Sequence, residues 1–300
     1  MKFFTVIFAL FIAGCANANE SDGIYFQDLR HYYHYDKSAP LQVKHDKENS
    51  TDREKVFTFR SHDGETIYAT LTKPDNFDTS VSHPLYIGDT NLISEDVIAQ
   101  RGFIIANISM RLQGKGTHKG LSNSDGSTPF STVWARLNTV IDYRRLIDYV
   151  GANYNIDKRV VIVGGLSRWG RIMTILAATD QRVTGVIAAS TSSDWLKTVK
   201  TTEHEGFKST LNQPWFEDRF YQQIMAPIDP KYFTQFLNVP ALVLHEVNDK
   251  IVTVDGGQRL QKILGDKASM IVYDENAGHG LKTPKVKIDT RKWLDENFFR

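Results

Sequence analysis

The segment VVIVGGLSRWGRIMTILAATD, residues 160–180, carries a single serine where the chain must change its local structure. The β-branched run before it predicts a buried strand, and the apolar residues from Ile172 to Ala177 predict a helix. Ser167 therefore lies in a tight strand-to-helix turn, beside the free backbone N–H groups and the positive dipole end of the helix. A serine nucleophile needs a base and oxyanion donors within reach. This position accordingly predicts acyl transfer.

The glycines around the serine resemble the nucleophile elbow G-x-S-x-G of α/β-hydrolases. Gly165 occupies the first glycine position, Trp169 replaces the second, and Gly170 follows one residue later. In that family the glycines let the strand and the helix pack closely around the serine. The resemblance implies that Ser167 attacks an acyl carbonyl and that the backbone N–H of Arg168 donates to the oxyanion.

A downstream segment, VPALVLHEVNDKIVTVDGGQRL, resembles the acid-bearing part of the same family. An apolar strand ends in a turn, and the resemblance places the triad acid at Asp249, 82 residues after the serine. Glu246 stands where the family usually has glycine. Asp255 is the competing carboxylate, which we expect at the amino end of the next helix as a cap.

The segment MIVYDENAGHGLKTP resembles the histidine-bearing loop. Glycines on both sides of His279 leave the loop free to aim the imidazole. The order serine, aspartate, histidine matches that of α/β-hydrolases. His279 is the only one of nine histidines that follows Asp249, so it is the only histidine that fits this order. His279 would take the serine proton and return it to the leaving group, while Asp249 would hold the imidazole tautomer.

The family resemblance also implies a second oxyanion donor in the turn after the strand Leu85–Ile87. This turn lacks the His-Gly pair that the family usually has there, and we predict the backbone N–H of Asp89 or Thr90. For Trp169 two roles stay open: a wall of the substrate pocket, or packing under the elbow. Trp195 is one of several aromatic residues that would suit a sugar ring or an aromatic acyl group, and we predict it as a second pocket residue.

Strands alternate with helices over residues 55–300, which predicts an α/β-hydrolase fold with a mostly parallel central sheet flanked by helices. The alternation breaks at about 194–237, where we predict a small helical cap; an irregular connection with aromatic core residues is the alternative. Residues 19–54 are polar and rich in tyrosine, and predict an irregular lead-in.

The wider resemblance rests on RGFIIANISMRLQGKG, the helix that follows it, and YNIDKRVVIVGG. This arrangement is similar to the prolyl-oligopeptidase, dienelactone-hydrolase and acetylxylan-esterase branches of the α/β-hydrolases. The peptidases of that group carry a propeller domain before the hydrolase domain. The short lead-in argues against a propeller and favours a single, esterase-like domain.

The N-terminal stretch predicts export. One lysine precedes an apolar run from Phe3 to Ala13, which is too short to span a bilayer and fits the core of a secretory signal. IAGC resembles a bacterial lipobox, with cleavage after residue 14 and lipid on Cys15; ANA at 16–18 fits ordinary cleavage after residue 18. The expectation is a periplasmic or outer-membrane lipoprotein with possible membrane attachment through the lipid, and a secreted protein is the alternative.

The overall composition narrows the function class. The net charge is +1 and 41% of the residues are hydrophobic, so the sequence favours a globular protein and gives no sign of a nucleic-acid partner. We predict no metal and no cofactor. His31-x-x-His34 and Glu203-His204-Glu205 lack the second half of a metal site, and the segment 114–120 has the spacing of neither a dinucleotide fingerprint nor a P-loop.

These features together predict an exported serine hydrolase that cleaves small-molecule or polysaccharide carboxylic esters through an acyl-enzyme. Two alternatives stay open from the sequence. One is a peptidase or amidase with the same triad, and the other is a catalytically inactive hydrolase fold that works as a binding lipoprotein.

Overall fold

The structure is a computed structural model that describes residues 28–112 and 129–299, with the side chains of the second range described from residue 131 onward. The predicted signal segment, Cys15 and the glycine-rich segment 114–120 lie outside the described residues. Within the described ranges, no helix is both long enough and apolar enough to cross a membrane.

A nine-stranded sheet forms the centre of the molecule. The strands are β1 Lys44–Asp46, β2 Glu54–Arg60, β3 Thr66–Thr72, β4 His83–Gly88, β5 Ile104–Ile108, β6 Ile156–Leu166, β7 Gly185–Ala189, β8 Ala241–Glu246 and β9 Ala268–Tyr273. Their order in the sheet is β1-β2-β3-β5-β4-β6-β7-β8-β9. Pairs among β1, β2, β3 and β5 are antiparallel, whereas β4 to β9 run parallel to one another. The carboxyl ends of the parallel strands therefore meet at one edge, where ligands bind in open α/β sheets.

Helices cover both faces of this sheet, which explains why β4, β7 and β8 are buried along their whole length. Alternate residues of β6 face different sides of the sheet. Val161 and Val163 pack with the helices Pro129–Asn153 and Arg168–Thr179, whereas Ile162 packs with the helices Glu95–Arg101 and Lys285–Phe298. The helices are α1 Glu95–Arg101, α2 Pro129–Asn153, α3 Arg168–Thr179, α4 Trp195–Thr201, α5 Glu205–Lys208, α6 Asp218–Met225, α7 Val254–Leu264 and α8 Lys285–Phe298. The predicted mostly parallel sheet with flanking helices is confirmed.

The described part of the predicted lead-in is more ordered than expected. Leu29–Tyr33 forms a 3-10 helix, and β1 extends the sheet by pairing with β2. Tyr33 is fully buried, with its ring 5.5 Å from that of Phe233. The prediction of irregular structure is therefore corrected for Leu29–Tyr33 and for β1, whereas residues 34–43 and 47–53 contain no helix or strand. Aromatic side chains of this segment pack against the core.

The break in the strand–helix alternation is largely helical. Helices α4 to α6 and several 3-10 turns occupy it, ending with Thr234–Phe236. A separate apolar cluster holds these elements together and joins them to Val133 of α2; it comprises Val133, Trp195, Val199, Tyr221, Ile224, Met225 and Ile228. This cap therefore packs on the molecule through α2, near the carboxyl edge of the sheet.

Candidate active site

Ser167 joins β6 to α3 in a backbone conformation that a side chain rarely adopts, with φ 58° and ψ −120°. Such a conformation costs on the order of 1–3 kcal/mol and persists only when its surroundings enforce it. The Ser167 N–H donates to the Ala189 carbonyl at 2.7 Å, which ties the turn to the end of β7. Strained serines at the end of a central strand are typical of nucleophiles exposed at the sheet edge.

Two glycines let the helix approach the strand at this turn. A Cβ on Gly165 would lie 2.5 Å from the carbonyl carbon of Trp169, and a Cβ on Gly170 would lie 2.8 Å from the Cβ of Thr191 and 2.9 Å from the carbonyl oxygen of Gly165. All these distances are below any tolerated contact. The glycine expected at Trp169 is thus displaced by one residue to Gly170, and the close packing of the family's motif is retained.

Trp169 packs beneath the turn. Its ring is partly buried against the main core and lies edge-on to Tyr143, with ring centroids 6.0 Å apart. Of the two roles left open by the sequence, these contacts fit packing under the elbow.

Asp249 and His279 form a hydrogen-bonded pair at the carboxyl ends of β8 and β9. Asp249 Oδ2 accepts from His279 Nδ1 at 2.7 Å, and Asp249 Oδ1 accepts the N–H groups of Ile251 and Val252 at 2.9 and 3.1 Å. The carboxylate is buried, whereas the imidazole is 19% exposed. Because a carboxylate only accepts, Nδ1 carries the hydrogen, and Nε2 is the nitrogen that can take a proton.

The loop that carries His279 is fixed from below by Glu246, the last residue of β8. Glu246 is fully buried, and its Oε2 accepts the Ala277 N–H at 3.1 Å. Asn276 and Gly278 both have positive φ, so the loop turns sharply on each side of this contact. The sequence analysis noted Glu246 only as a departure from glycine. A carboxylate at the end of an otherwise apolar strand would have indicated a buried residue with a specific hydrogen-bond partner.

His245 is a further buried polar group that the sequence analysis missed. Its Nε2 lies 2.7 Å from the Val252 carbonyl and 3.6 Å from Asp249 Oδ2. Burial lowers the pKa of His245. The ring is therefore neutral at physiological pH, and its N–H supports the turn that carries Asp249.

The turn after β4 lies next to Ser167 because β4 and β6 are neighbours in the sheet. The Asp89 N–H donates to the Gly164 carbonyl at 2.9 Å, so the prediction of Asp89 as an oxyanion donor is wrong. Thr90, the next residue, is exposed. The Arg168 N–H is the first of α3, where backbone donors have no acceptor inside the helix. Arg168 and Thr90 are the candidates that remain.

The structure also corrects Trp195 as a pocket residue. Its side chain is 4% exposed, and the indole N–H donates to the Ile228 carbonyl at 3.1 Å inside the cap. Asp255 lies at the amino end of α7, as expected, but inside the first turn, and Thr253 rather than Asp255 is the cap residue. Asp255 pairs with Arg259 and not with a histidine. Among the described residues, no group of three or more His, Cys, Asp or Glu side chains is arranged to hold a metal.

Comparison with known proteins identifies the family and the fold of the chain. The model of the prolyl oligopeptidase family matches residues 94–299. A search of curated protein sequences gave no match. Acetyl xylan esterase 1 from Thermoanaerobacterium sp. JW/SL YS485 superposes with a TM-score of 0.71 at 16% identity, over 90% of this chain and 93% of that one. The acetyl xylan esterase from Paenibacillus sp. R4 superposes with a TM-score of 0.73 at 13% identity, over 96% and 99%.

A larger peptidase shares the same fold over part of its length. The acylaminoacyl peptidase of Pyrococcus horikoshii superposes with a TM-score of 0.64 at 13% identity, over 84% of this chain but 43% of that one. The family match spans more than half of the sequence, and the elements that carry Ser167, Asp249 and His279 lie within it. The chain therefore belongs to the prolyl oligopeptidase family and is a serine hydrolase with an α/β-hydrolase fold.

Proposed function

We propose that the protein hydrolyses carboxylic esters through a triad of Ser167, His279 and Asp249. The observation that carries the proposal is the 2.7 Å contact between His279 Nδ1 and buried Asp249 Oδ2, at the sheet edge where the strained turn presents Ser167. The contact orients the ring and leaves Nε2 to act as the base.

The reaction follows from these roles. Ser167 Oγ attacks the acyl carbonyl while His279 Nε2 takes its proton, and Asp249 stabilises the imidazolium that forms. The N–H groups of Arg168 and Thr90 donate to the oxyanion of the tetrahedral intermediate. The C–O bond to the alcohol breaks, His279 protonates the leaving alcohol, and water then hydrolyses the acyl-enzyme by the same route.

The extent of the structural likeness favours an ester over a peptide. Both acetyl xylan esterases are matched over nearly their full lengths, whereas the acylaminoacyl peptidase is matched over 43% of its chain. We therefore propose a small-molecule or polysaccharide ester as substrate. The family match itself supports amide cleavage as the second candidate.

Hydrolysis of p-nitrophenyl esters from acetyl to octanoyl tests the proposal, with Ser167→Ala as the inactive variant. Ser80→Ala is the matched control because it also removes a serine hydroxyl, but from an exposed residue that precedes the amino end of β4. We expect turnover by the wild type and by the control, and a loss of roughly 10⁴-fold in kcat for Ser167→Ala. Cleavage of aminoacyl p-nitroanilides with no cleavage of any ester would replace the ester proposal with the peptidase one.

We also propose export and attachment to a bacterial membrane through lipid on Cys15, on the strength of the lipobox-like IAGC. Labelling with radioactive palmitate, followed by membrane fractionation, tests this for the wild type and for Cys15→Ala. Label and membrane retention that both require Cys15 support the lipoprotein. Soluble, unlabelled wild-type protein in the periplasm would favour ordinary signal cleavage.

A further inference from the structure

Four arginines converge beside the serine turn. Arg168 and Arg171 lie in the first turn of α3, Arg136 comes from α2, and Arg259 comes from α7. The guanidinium carbons of Arg171 and Arg136 lie 3.6 and 4.3 Å from the centroid of the Trp195 ring. The ring thus joins these two cations, and we call the four residues the arginine cluster.

Much of the hydrogen-bonding capacity of this cluster is unused. Arg171 Nη2 donates to the Ser192 hydroxyl at 2.7 Å, but buried Arg171 Nε has no partner. Arg259 pairs with Asp255 through Nη1, while its Nε and Nη2 are buried and unpartnered. Arg136 Nη1 is also buried and unpartnered, and Arg136 makes no ion pair with any described carboxylate. Buried arginine donors without acceptors are costly, and an acceptor that reached them would be bound favourably.

The neighbouring acids offset the charge of the cluster only in part. Asp255 pairs with Arg259, and the charges of Asp229 and Asp194 stabilise protonated Arg171, but Arg136 and Arg168 have no such partner among the described carboxylates. Asp229 accepts the backbone N–H groups of Asp194, Trp195 and Lys231 at 2.8, 2.7 and 3.0 Å. The Asp194 carboxylate lies 3.4 Å from Lys231 Nζ. Burial, together with the charges of Arg171 and Arg168, lowers the pKa of Arg136 to about 9. The cluster therefore holds excess positive charge that an anion would relieve.

Two of the four arginines can be reached from solvent. Arg168 is exposed and Arg136 is partly exposed, whereas Arg171 is buried behind them. Arg168 directly follows Ser167, and Arg171 is four residues on, about one helical turn or ~6 Å along the axis. An anionic group held here would belong to a molecule that also reaches the serine.

We propose that the arginine cluster binds a carboxylate carried by the substrate, so that the enzyme prefers esters with a negative charge close to the scissile bond. The planar guanidinium donors of Arg136 and Arg168 suit the two oxygens of a carboxylate. This inference rests on the proposed ester hydrolysis for its catalytic consequence but not for the binding itself. The two parts can therefore be tested separately.

The catalytic test compares the monoanionic p-nitrophenyl succinate with neutral p-nitrophenyl butyrate, which have acyl chains of equal length. We expect the wild type to prefer the anionic ester in kcat/KM. Arg136→Gln should lower the ratio of anionic to neutral kcat/KM roughly 10- to 100-fold, mainly through KM, because a charge-assisted pair is lost in a partly buried site. Arg136→Lys should lower the ratio less, since it keeps the positive charge but loses the paired N–H donors of the planar guanidinium group.

Two further variants keep this test decisive. Arg168→Gln alters an exposed side chain, so we expect a small effect on stability. It should lower the same ratio even where Arg136→Gln is unstable. Arg159→Gln removes an exposed arginine of β6, and it should leave both esters unaffected. An unchanged ratio in folded Arg136→Gln and Arg168→Gln would overturn the proposal.

The binding test uses calorimetry on Ser167→Ala with glutarate, inorganic phosphate and sulfate. Saturable glutarate binding at millimolar concentration that disappears in Ser167→Ala/Arg136→Gln supports the carboxylate site, even if the wild type cleaves no ester. Binding of phosphate or sulfate but not glutarate would overturn the carboxylate assignment. No binding of any anion would overturn the site, whatever the outcome for ester hydrolysis.

Discussion

Glu246 and Ala277 are joined by a 3.1 Å hydrogen bond that links the buried end of β8 to the loop carrying His279. The contact lies two residues before the histidine. Because Glu246 is fully buried, the core holds its carboxylate in place. The hydrogen bond therefore fixes the position of the His279 loop relative to the central sheet. Glu246 is thus a positioning residue for the proposed base.

Replacing Glu246 tests this role. Glu246→Ala should lower kcat by roughly 10- to 100-fold with a smaller effect on KM, because misplacing a reacting group by about 1 Å has that effect. Glu246→Gln keeps an oxygen acceptor for the Ala277 N–H and should restore most of the activity. Steady-state kinetics on a short ester gives both values.

Exposed Glu203→Ala provides the control for loss of a carboxylate near the cap. Equal losses of kcat in Glu246→Ala and Glu246→Gln would contradict a positioning role for the hydrogen bond. They would indicate that the negative charge itself matters.

The turn that carries Ser167 and the loops that carry Asp249 and His279 could be predicted from the sequence because each lies in a local pattern of apolar strand, turn and glycine. The hydrogen bond that the Asp89 N–H donates could not be predicted from the sequence. Its acceptor, the Gly164 carbonyl, is distant in sequence and becomes a neighbour only through the pairing of β4 with β6. The burial of Trp195 likewise depends on contacts with α2 and α3.

Charge pairing also depends on the tertiary structure. Arg136, Arg171 and Arg259 are ordinary helix residues in the sequence, and only their convergence around Trp195 and Ser192 makes them unusual. The strand β1 was missed because three polar residues at a sheet edge give no periodic signal.

Gly165→Ala should disable the serine turn. The added Cβ would lie 2.5 Å from the Trp169 carbonyl carbon, so strand and helix must separate. We expect the free energy of unfolding to fall by about 1–3 kcal/mol and ester hydrolysis to be lost.

Gly151→Ala is the matched control, because its Cβ meets nothing within 4 Å on the exposed face of α2. It should raise stability by about 0.5–1 kcal/mol. Urea unfolding measures both, and a stable, active Gly165→Ala protein would contradict the close approach.

Arg111→Met should destabilise the fold strongly. Arg111 is buried after β5, where it donates to Asp142 at 2.7 Å and also pairs with Asp63. Its loss leaves the Asp142 carboxylate buried without its cation, which costs about 3–5 kcal/mol. Arg53→Met breaks an exposed pair with Asp75 and should cost less than about 1 kcal/mol. Similar midpoints of urea unfolding for the two variants would show that the buried pair is dispensable.

Protonation of His245 should contribute to acid unfolding. Burial lowers its pKa in the folded protein below the ordinary value of about 6.5 that applies in the unfolded chain. Below about pH 6.5 the unfolded chain therefore binds more protons, and stability falls as the pH decreases toward the folded pKa. His245→Gln keeps a donor for the Val252 carbonyl and should flatten the decline of Tm between about pH 7 and pH 5. His34→Gln, which alters an exposed histidine, should retain the wild-type slope, and a His245→Gln protein with that same slope would exclude His245 as its source.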